Sequence, residues 1–227
     1  MTRRLQIAID GTAGVGKTTI GQMLAKVLAC PYLDTGAMYR AVSLLVLRTG
    51  TLPSNVPEME RLAQNLNFEA RDATSQEAAD GRQYTVLVDG EDVSQAIRDP
   101  QVENIVSQVA AIPEVRVALV QKQREMAERA GTIIMIGRDI ASVVLPDAEL
   151  KIFLDASPEV RALRRNRQTG NGEEQARRNL EQRDKLDSQR VASPLVVAPG
   201  AIVIDTDNLN PEQVLERVKA EIAKILD

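Results

Sequence analysis

An eight-residue segment, GTAGVGKT at residues 11–18, constrains the fold of this chain more than any other part of the sequence. It fits the pattern G-x-x-x-x-G-K-[ST], which forms phosphate-binding loops. The apolar run LQIAID (5–10) predicts a buried strand before the loop, and KTTIGQMLAKVLA (17–29) has apolar residues at helical spacing after it. A strand, a glycine-rich turn and a helix in this order arrange backbone N–H groups around an anion. We therefore predict an α/β protein that binds a nucleoside triphosphate.

The residue types of this loop suit the phosphates of a nucleotide. Glycines let backbone N–H groups converge, Lys17 supplies a point charge between the terminal phosphates, and Thr18 can place its hydroxyl on Mg²⁺. We predict Thr18 as the metal ligand. The predicted nucleotide-binding loop comprises Gly11, Thr12, Ala13, Gly14, Val15, Gly16, Lys17, Thr18 and Thr19.

The rest of the chain alternates predicted strands with helical segments. The further predicted strands are YLD (32–34), TIIMI (132–136), LKIFLDA (150–156) and AIVID (201–205). This alternation favours a parallel sheet with helices on both faces. Between about residues 66 and 95 the pattern changes to short alternating runs with turns, which indicates a small antiparallel insertion.

Composition excludes several classes of protein. A single cysteine, Cys30, excludes an intramolecular disulfide, and with no histidine no zinc-ligand spacing is present. The net charge of -4, three tyrosines and two phenylalanines argue against general nucleic-acid binding. No apolar stretch approaches the ~20 residues of a membrane span, and the start is too short for a signal peptide. We expect a cytoplasmic protein that binds neither nucleic acid nor membrane.

A local positive charge stands out within this acidic chain. Residues 161–190 hold eight arginines and one lysine against five acidic residues, which predicts an anionic partner. The acceptor of the phosphoryl group could be water, a hydroxyl or another phosphate. A hydroxyl usually needs a base, whereas a nucleoside monophosphate is already an oxyanion, with a second pKa of about 6. The missing histidine therefore favours a nucleotide kinase, although an aspartate can also act as base.

Five segments in order resemble bacterial-type cytidylate kinases. They are GTAGVGKT, LDTGAMYRA (33–41), SQVAAIPEVR (107–116), GRDIASVVLPDAELKIFLDASPEVRALRR (137–165) and RDKLDSQRVASPL (183–195). The similarity runs through nearly the whole chain. It implies the P-loop nucleoside monophosphate kinase fold, which has a five-stranded parallel core, a lid and an inserted monophosphate-binding domain with a small antiparallel sheet.

The resemblance also implies domain boundaries and a reaction. The core covers approximately residues 1–36, 100–160 and 190–227, the monophosphate-binding region 37–99 with its insertion at 66–95, and the lid 161–189. The implied activity is phosphorylation of CMP and dCMP by ATP with Mg²⁺, in pyrimidine nucleotide metabolism, by direct in-line transfer. We expect a monomer.

Three alternatives remain at this point. The first is a related kinase that acts on UMP, AMP or a hydroxy acid. The second is a P-loop switch or ATP-driven interaction protein, although the N-K-x-D motif of a guanine switch is absent. The third is an RNA-binding module that uses the positive segment 161–190.

The resemblance carries functional residues onto matching positions. Lys17, Arg138 and Arg183 are the implied catalytic residues, and Arg164 and Arg165 are implied to bind ATP near the lid. The implied acceptor-binding residues are Thr35, Arg40, Ser107, Arg116, Arg138, Asp139, Arg183, Asp187 and Arg190.

Among the implied acceptor-binding residues, different ones bind the phosphate and the base of the acceptor nucleotide. Arg40 and Arg138 are implied to hold the acceptor phosphate, and Ser107, Arg116 and Asp139 to recognise the edge of cytosine. Arg138 and Asp139 follow a predicted strand, and the carboxyl ends of strands are where open α/β sheets bind ligands. Asp139 can accept a hydrogen bond from the cytosine amino group. Uracil has a carbonyl there, a mismatch of about 1 to 3 kcal/mol.

The resemblance implies that Arg183, Asp187 and Arg190 bridge the phosphates and the ribose. Arg183, Asp187 and Arg190 stand at i, i+4 and i+7, so a continuous helix would place them on one face, in line with Ala176 and Leu180. Charged residues that replace a core stripe favour a cleft-lining face, and an exposed helix with salt bridges is the alternative.

The chain departs from the family pattern at a few positions. Ile136 precedes Gly-Arg-Asp where relatives generally carry an acid, and Thr12 replaces a proline of the loop. Ala141 and Ser142 stand where Gly-Thr is common. Without an acid at residue 136, this position cannot contact metal-bound water as an acidic side chain would. The residue assignments above do not depend on that contact.

Overall fold

The computed structural model describes residues 4–52, 54–82, 84–170, 172–188, 190 and 193–226. The chain divides into two compact units. One comprises Met1–Tyr32 and Met126–Asp227 and is called the P-loop unit here, and the other, Leu33–Glu125, is called the central unit. The domain limits inferred from the sequence concern functional regions and stay predictions.

A five-stranded sheet has four of its strands, and the first residue of the fifth, in the P-loop unit. Its strands, in spatial order, are β2 (Tyr32–Asp34), β6 (Ile133–Ile136), β1 (Gln6–Gly11), β7 (Leu150–Asp155) and β8 (Ile202–Asp205). The pairs β1–β6, β1–β7 and β7–β8 are all parallel. Each predicted strand agrees with the observed one to within one residue at either end. The predicted parallel core is therefore confirmed.

Helices cover this sheet because its central strands are apolar on both faces. All four residues of β6 are buried, as is typical of parallel strands. The helices of the P-loop unit are α1 (Lys17–Leu28), α6 (Pro158–Thr169), α7 (Glu173–Ser188) and α8 (Pro211–Leu226). Helix α1 contacts β1, β6 and α8, while α6 contacts α7. The main core of the unit is built from aliphatic residues of β1, β6, β7, α1 and α8, including Ile9, Ile136 and Ile152.

The central unit combines helices with a second, antiparallel sheet. Its helices are α2 (Thr35–Thr49), α3 (Val56–Gln64), α4 (Pro100–Val109) and α5 (Pro113–Ala130), the last of which continues into the P-loop unit. The sheet consists of β3 (Phe68–Asp72), β4 (Tyr84–Val88) and β5 (Glu91–Asp92). Asp89 and Gly90 join β4 to β5 with positive φ angles of 51° and 81°, the conformation that an Asp-Gly hairpin favours. The predicted antiparallel insertion is confirmed.

Short helical turns connect several of these elements. Two 3₁₀ turns occur at Glu77–Asp80 and Ala96–Arg98, and a π-helical turn at Ile140–Val144 follows β6. Within the described ranges, no helix combines the length and the apolar character that crossing a membrane requires.

The packing of α1 on the sheet gives a testable expectation. A Cβ atom on Gly21 would lie 2.6 Å from Cε2 of Tyr32 and 2.9 Å from Cγ2 of Ile136. Gly21→Ala should therefore lower the free energy of unfolding by about 1 to 3 kcal/mol through overpacking, although alanine favours helix by about 1 kcal/mol. Urea denaturation measures the change. Val27→Ala, on the exposed side of the same helix, should stay within about 0.5 kcal/mol of wild type. A stabilised Gly21→Ala protein would contradict the packing.

Candidate active site

The phosphate-binding loop connects β1 to α1 in the P-loop unit. A Cβ on Gly11 would lie 2.2 Å from the carbonyl oxygen of Leu154 on β7, so no other residue fits there. Gly16 has φ 100°, a left-handed conformation, and directly precedes the first turn of α1. The first turn of α1 carries no acidic side chain. The partial positive charge at the N-terminus of this helix is therefore not neutralised by a carboxylate from the same turn. The loop thus has the backbone geometry of an anion site.

Lys17 folds back over this loop. Its side chain is 8% exposed, and its Nζ donates hydrogen bonds of 2.6 Å to the carbonyl oxygens of Gly11 and Thr12. The ammonium group is therefore held above the loop, where phosphates would compete with these carbonyls. Thr18 and Thr19 follow on the exposed side of the helix start.

Arg161 and Asp184 hold the other side of the loop, and the sequence analysis did not assign them a role. Arg161 Nη1 donates to the carbonyl of Ala13 at 3.2 Å and pairs with Asp184, while its Nε donates to the carbonyl of Ala156 at 3.1 Å. Asp184 in turn accepts from the N–H of Ala13 at 3.4 Å. Helices α6 and α7 thus fix the loop backbone. The one sequence signal was the arginine-rich segment that contains Arg161.

Arg164, a predicted nucleotide-binding residue, lies against the loop from α6. Its guanidinium donates to Thr206 Oγ1 at 3.0 Å, to the carbonyl of Thr206 at 2.6 Å and to the carbonyl of Val15 at 3.5 Å. It therefore ties the loop to the end of β8. Its neighbour Arg165 is half-buried on the same helix.

The structure brings Arg138, Asp187 and Arg190 together. Arg138 Nε donates to one oxygen of Asp187 at 2.7 Å, and Arg190 Nη2 pairs with the other. Burial alone would raise the pKa of Asp187, but the charges of Arg138, Arg190 and Arg183 outweigh it and lower that pKa. Asp187 is thus a buried carboxylate that orients two guanidinium groups.

The helix expected to carry Arg183, Asp187 and Arg190 on one face is shorter than predicted. Helix α7 ends at Ser188, so Arg183 and Asp187 lie on it while Arg190 lies beyond its end. The prediction of one continuous helical face was wrong. Arg190 nevertheless forms an ion pair with Asp187, three residues earlier in the chain.

Asp139 follows Arg138 at the end of β6 and is 4% exposed. Beside it lies Asp10, the last residue before the loop, which the sequence analysis did not single out. Asp10 accepts hydrogen bonds from the backbone N–H groups of Ile140 at 2.9 Å and Ala141 at 2.7 Å. Burial raises the pKa of Asp10 to about 6 and the charge of Asp139 adds to this, against the two backbone bonds and the charge of Lys17. The available signal was an acid at the end of an apolar strand.

Three of the residues that depart from the family pattern, Ile136, Thr12 and Ser142, lie in different environments. Ile136 is part of the main aliphatic core, so the position carries no polar group toward the site. Thr12 Oγ1 and Ser142 Oγ are buried atoms with no hydrogen-bond partner in the described part of the chain.

In the central unit, Arg40 is held by a tyrosine–carboxylate pair that the sequence analysis did not identify. Asp34 caps α2 by accepting from the N–H of Gly36 at 2.9 Å. Its other oxygen accepts from Arg40 Nη2 at 2.9 Å and from the hydroxyl of Tyr84 at 3.3 Å. Burial, with a contribution from Asp34, raises the pKa of Tyr84 to about 12, so this tyrosine stays a donor. The cluster fixes Arg40 as a cation on α2.

The other predicted residues of the central unit lie on three helices. Arg116, on α5, is 3% exposed, donates to the carbonyl of Ala110 at 3.1 Å, and lies with its guanidinium carbon 5.2 Å from the ring centre of Tyr39. Thr35 is buried at the first turn of α2, and Ser107 is half-buried on α4. Among the described residues, no group of three or more cysteine, aspartate or glutamate side chains is arranged as a metal centre.

Comparisons with known proteins address the chain as a whole. The sequence model of the family described as cytidylate kinase matches residues 7–224. A cytidylate kinase of Caldanaerobacter subterraneus subsp. tengcongensis is 47% identical, over 97% of this chain and 95% of that protein. One of Mycobacterium avium is 44% identical, over 96% of this chain and 95% of that protein.

A solved structure supports the fold alone. It is that of an uncharacterized protein from Eubacterium ventriosum, which aligns with a TM-score of 0.54 at 11% identity, over 97% of this chain and 99% of that one. The sequence matches carry the assignment, because they span almost the full length at identities far above this value. The chain therefore belongs to the cytidylate kinase family, and is a nucleoside monophosphate kinase.

Proposed function

We propose that this enzyme phosphorylates CMP and dCMP with ATP and Mg²⁺, by direct in-line transfer of the γ-phosphoryl group. One observation carries the proposal beyond the family assignment. The phosphate loop and the Arg138–Asp139 pair leave adjacent parallel strands, and the N–H of Gly137 donates to the carbonyl of Ile9 at 3.1 Å. A donor-phosphate loop therefore lies beside a guanidinium and a carboxylate suited to an acceptor nucleotide.

On the donor side, the loop N–H groups and Lys17 bind the ATP phosphates. Lys17 exchanges its bonds to the Gly11 and Thr12 carbonyls for charge-assisted bonds to phosphate oxygens, which are stronger. Thr18, exposed at the start of α1, would hold Mg²⁺ through its hydroxyl. A single hydroxyl ligand from the protein suits Mg²⁺, which usually binds few protein groups and completes its coordination with phosphate and water oxygens. When bound, Mg²⁺ neutralises charge that develops on the transferring phosphoryl group.

On the acceptor side, arginines bind phosphate and an aspartate selects the base. We assign the Nη donors of Arg138 to the acceptor phosphate, because its Nε donates to Asp187 at 2.7 Å and this bond orients the guanidinium plane. Asp139 accepts from the cytosine amino group. We assign Arg183 to charge stabilisation during transfer. The other proposed acceptor contacts are Thr35, Arg40, Ser107, Arg116, Asp187 and Arg190.

The deoxynucleotide belongs in the proposal because base and phosphate are identical in CMP and dCMP. Arg164 and Arg165 act on the ATP side, where Arg164 supports the loop through Val15. No covalent enzyme intermediate is involved, since positioning and electrostatic stabilisation suffice for phosphoryl transfer. We infer a cytoplasmic location from the sequence arguments given above, and the monomeric state stays an expectation.

The reaction itself is tested by ADP release with ATP and Mg²⁺ and CMP, dCMP, UMP, AMP or no acceptor. We expect rapid turnover with CMP and dCMP, slow turnover with UMP and almost none without an acceptor. Equal ADP release without an acceptor would instead indicate an ATPase or a switch. Preference for UMP or AMP would leave a kinase but overturn the role of Asp139.

Lys17→Met should lower kcat by about 10²- to 10³-fold, because it removes a cation from the developing charge while keeping the side-chain length. Steady-state kinetics with CMP and ATP measure the loss. Lys26→Met, on an exposed position of the same helix, is the matched control and should keep wild-type kcat. A Lys17→Met enzyme with more than a tenth of wild-type kcat would contradict the role of Lys17.

Asp139→Asn should reduce the preference for CMP over UMP, in kcat/KM, by roughly ten- to a hundredfold. An asparagine amide can donate to the uracil carbonyl, whereas aspartate can only accept. Asp147→Asn, an exposed change eight residues further along, should leave the ratio unaltered. An unchanged ratio in Asp139→Asn would remove Asp139 as the group that recognises the base.

A further inference from the structure

Asp10 is buried at the carboxyl end of the central strand of the sheet, directly before the phosphate loop. It is 2% exposed, and its strand runs between β6 and β7. Its two carboxylate oxygens each accept one backbone hydrogen bond, from Ile140 at 2.9 Å and from Ala141 at 2.7 Å. Both bonds therefore reach across to the segment that follows Arg138 and Asp139.

The last residues of β1 hold this segment on both sides of the Arg138–Asp139 pair. Before the pair, the N–H of Gly137 donates to the carbonyl of Ile9 at 3.1 Å. After it, Asp10 accepts from Ile140 and Ala141. The intervening dipeptide is thus bracketed by three hydrogen bonds to two consecutive residues of one strand.

The backbone around Asp139 is not a regular helix, so it is not stabilised by a continuous series of helical hydrogen bonds. Asp139 has φ -145° and ψ 26°, and the π-helical turn Ile140–Val144 begins directly after it. The carbonyl of Asp139 accepts from the N–H groups of Val143 at 2.9 Å and Val144 at 3.2 Å, which leaves the first N–H groups of the turn to other acceptors. π turns of this kind occur frequently at functional sites. Asp10 supplies the acceptors that this turn needs at its start.

We propose that Asp10 is a positioning residue of the reaction, which orients Arg138 and Asp139 toward the acceptor nucleotide. The identity of that acceptor as a cytidine nucleotide rests on the proposed function.

Burial of the ionised carboxylate of Asp10 is electrostatically unfavourable. The charged groups that face it are Asp139 from the turn and Lys17 from α1, while β7 presents Phe153 in register with it. Its pKa is raised from 3.8 to about 6, so the folded protein binds this proton more tightly than the unfolded chain. The stability contribution of Asp10 is therefore full below pH 3.8 and is lost as the pH rises through about 6. An ionised Asp10 at neutral pH lowers stability, as groups placed for function often do.

Protonation would weaken the anchor. A neutral carboxyl group turns one of its two acceptors into a donor, which would face the N–H of Ile140 or Ala141. The turn should therefore loosen as the pH falls through about 6. Since the phosphate of a nucleoside monophosphate also titrates near pH 6, this change is best followed without nucleotide.

The test combines Asp10→Asn with a matched control, Glu149→Gln. Glu149 also accepts a backbone hydrogen bond from β1, at 2.7 Å from the N–H of Gln6, but at the opposite and exposed end of the strand. The isosteric amide introduced by Asp10→Asn keeps one acceptor and places an NH₂ group against the other N–H. We expect Asp10→Asn to raise the KM for CMP at least tenfold and to lower the CMP to UMP preference. The Kd of a non-hydrolysable ATP analogue should change less than threefold, and Glu149→Gln should behave as wild type.

An NMR titration without nucleotide tests the hydrogen bonds of Asp10 without measuring activity. The amide signals of Ile140 and Ala141 should shift with a midpoint near pH 6, and the shift should be absent in Asp10→Asn. Amide signals of Ile140 and Ala141 that are the same in wild type and Asp10→Asn at every pH would overturn the proposal. A variant whose affinities for CMP and ATP fall by the same factor would also overturn it, since that indicates general disruption. A wild-type enzyme that does not phosphorylate CMP would refute the proposed function only, because the amide titration needs no substrate.

Discussion

The close approach of β1 to β7 at Gly11 is the constraint on which the rest of the P-loop unit depends. A side chain at this residue would collide with the carbonyl of Leu154, so the strand can pair to its last residue only as glycine. The chain then turns into α1 over a loop whose carbonyls, at Gly11 and Thr12, bind Lys17. Strand, loop and lysine are therefore directly connected, and the anion site is a consequence of how the sheet ends.

Ion pairs between buried or half-buried side chains are the second recurring feature of the molecule. Asp187 joins Arg138 to Arg190, Asp34 holds Arg40, and Arg161 pairs with Asp184. Buried ion pairs are weak sources of net stability, because desolvation of both partners offsets much of their attraction. Such pairs do fix side-chain directions. Their concentration around the phosphate loop and on α2 is better explained by the need to hold guanidinium groups in place for anionic ligands.

The site was predictable where residue type alone defines the chemistry. The glycines and Lys17 of the loop indicate a phosphate site, and Arg138 and Asp139 are marked by their place after an apolar strand. Asp10, Tyr84 and Arg161 were missed, since each acts through a partner far away in the sequence: residues 140 and 141, residue 34 and residue 13. The predicted helical face through Arg190 was wrong because residue spacing does not show where a helix stops.

The sequence by itself determined the order of strands and helices, the antiparallel insertion and the identity of the phosphate loop. Each of these depends on local information: apolar periodicity, an Asp-Gly turn at Asp89, and glycines at fixed offsets. Only the tertiary structure decided which carboxylates serve which arginines, and that Asp10 reaches the turn after Asp139. The physical reason is that hydrogen bonds and ion pairs are short-ranged and directional. Their partners are therefore set by which strand ends meet at the sheet edge, a property of the packed sheet that no local pattern contains.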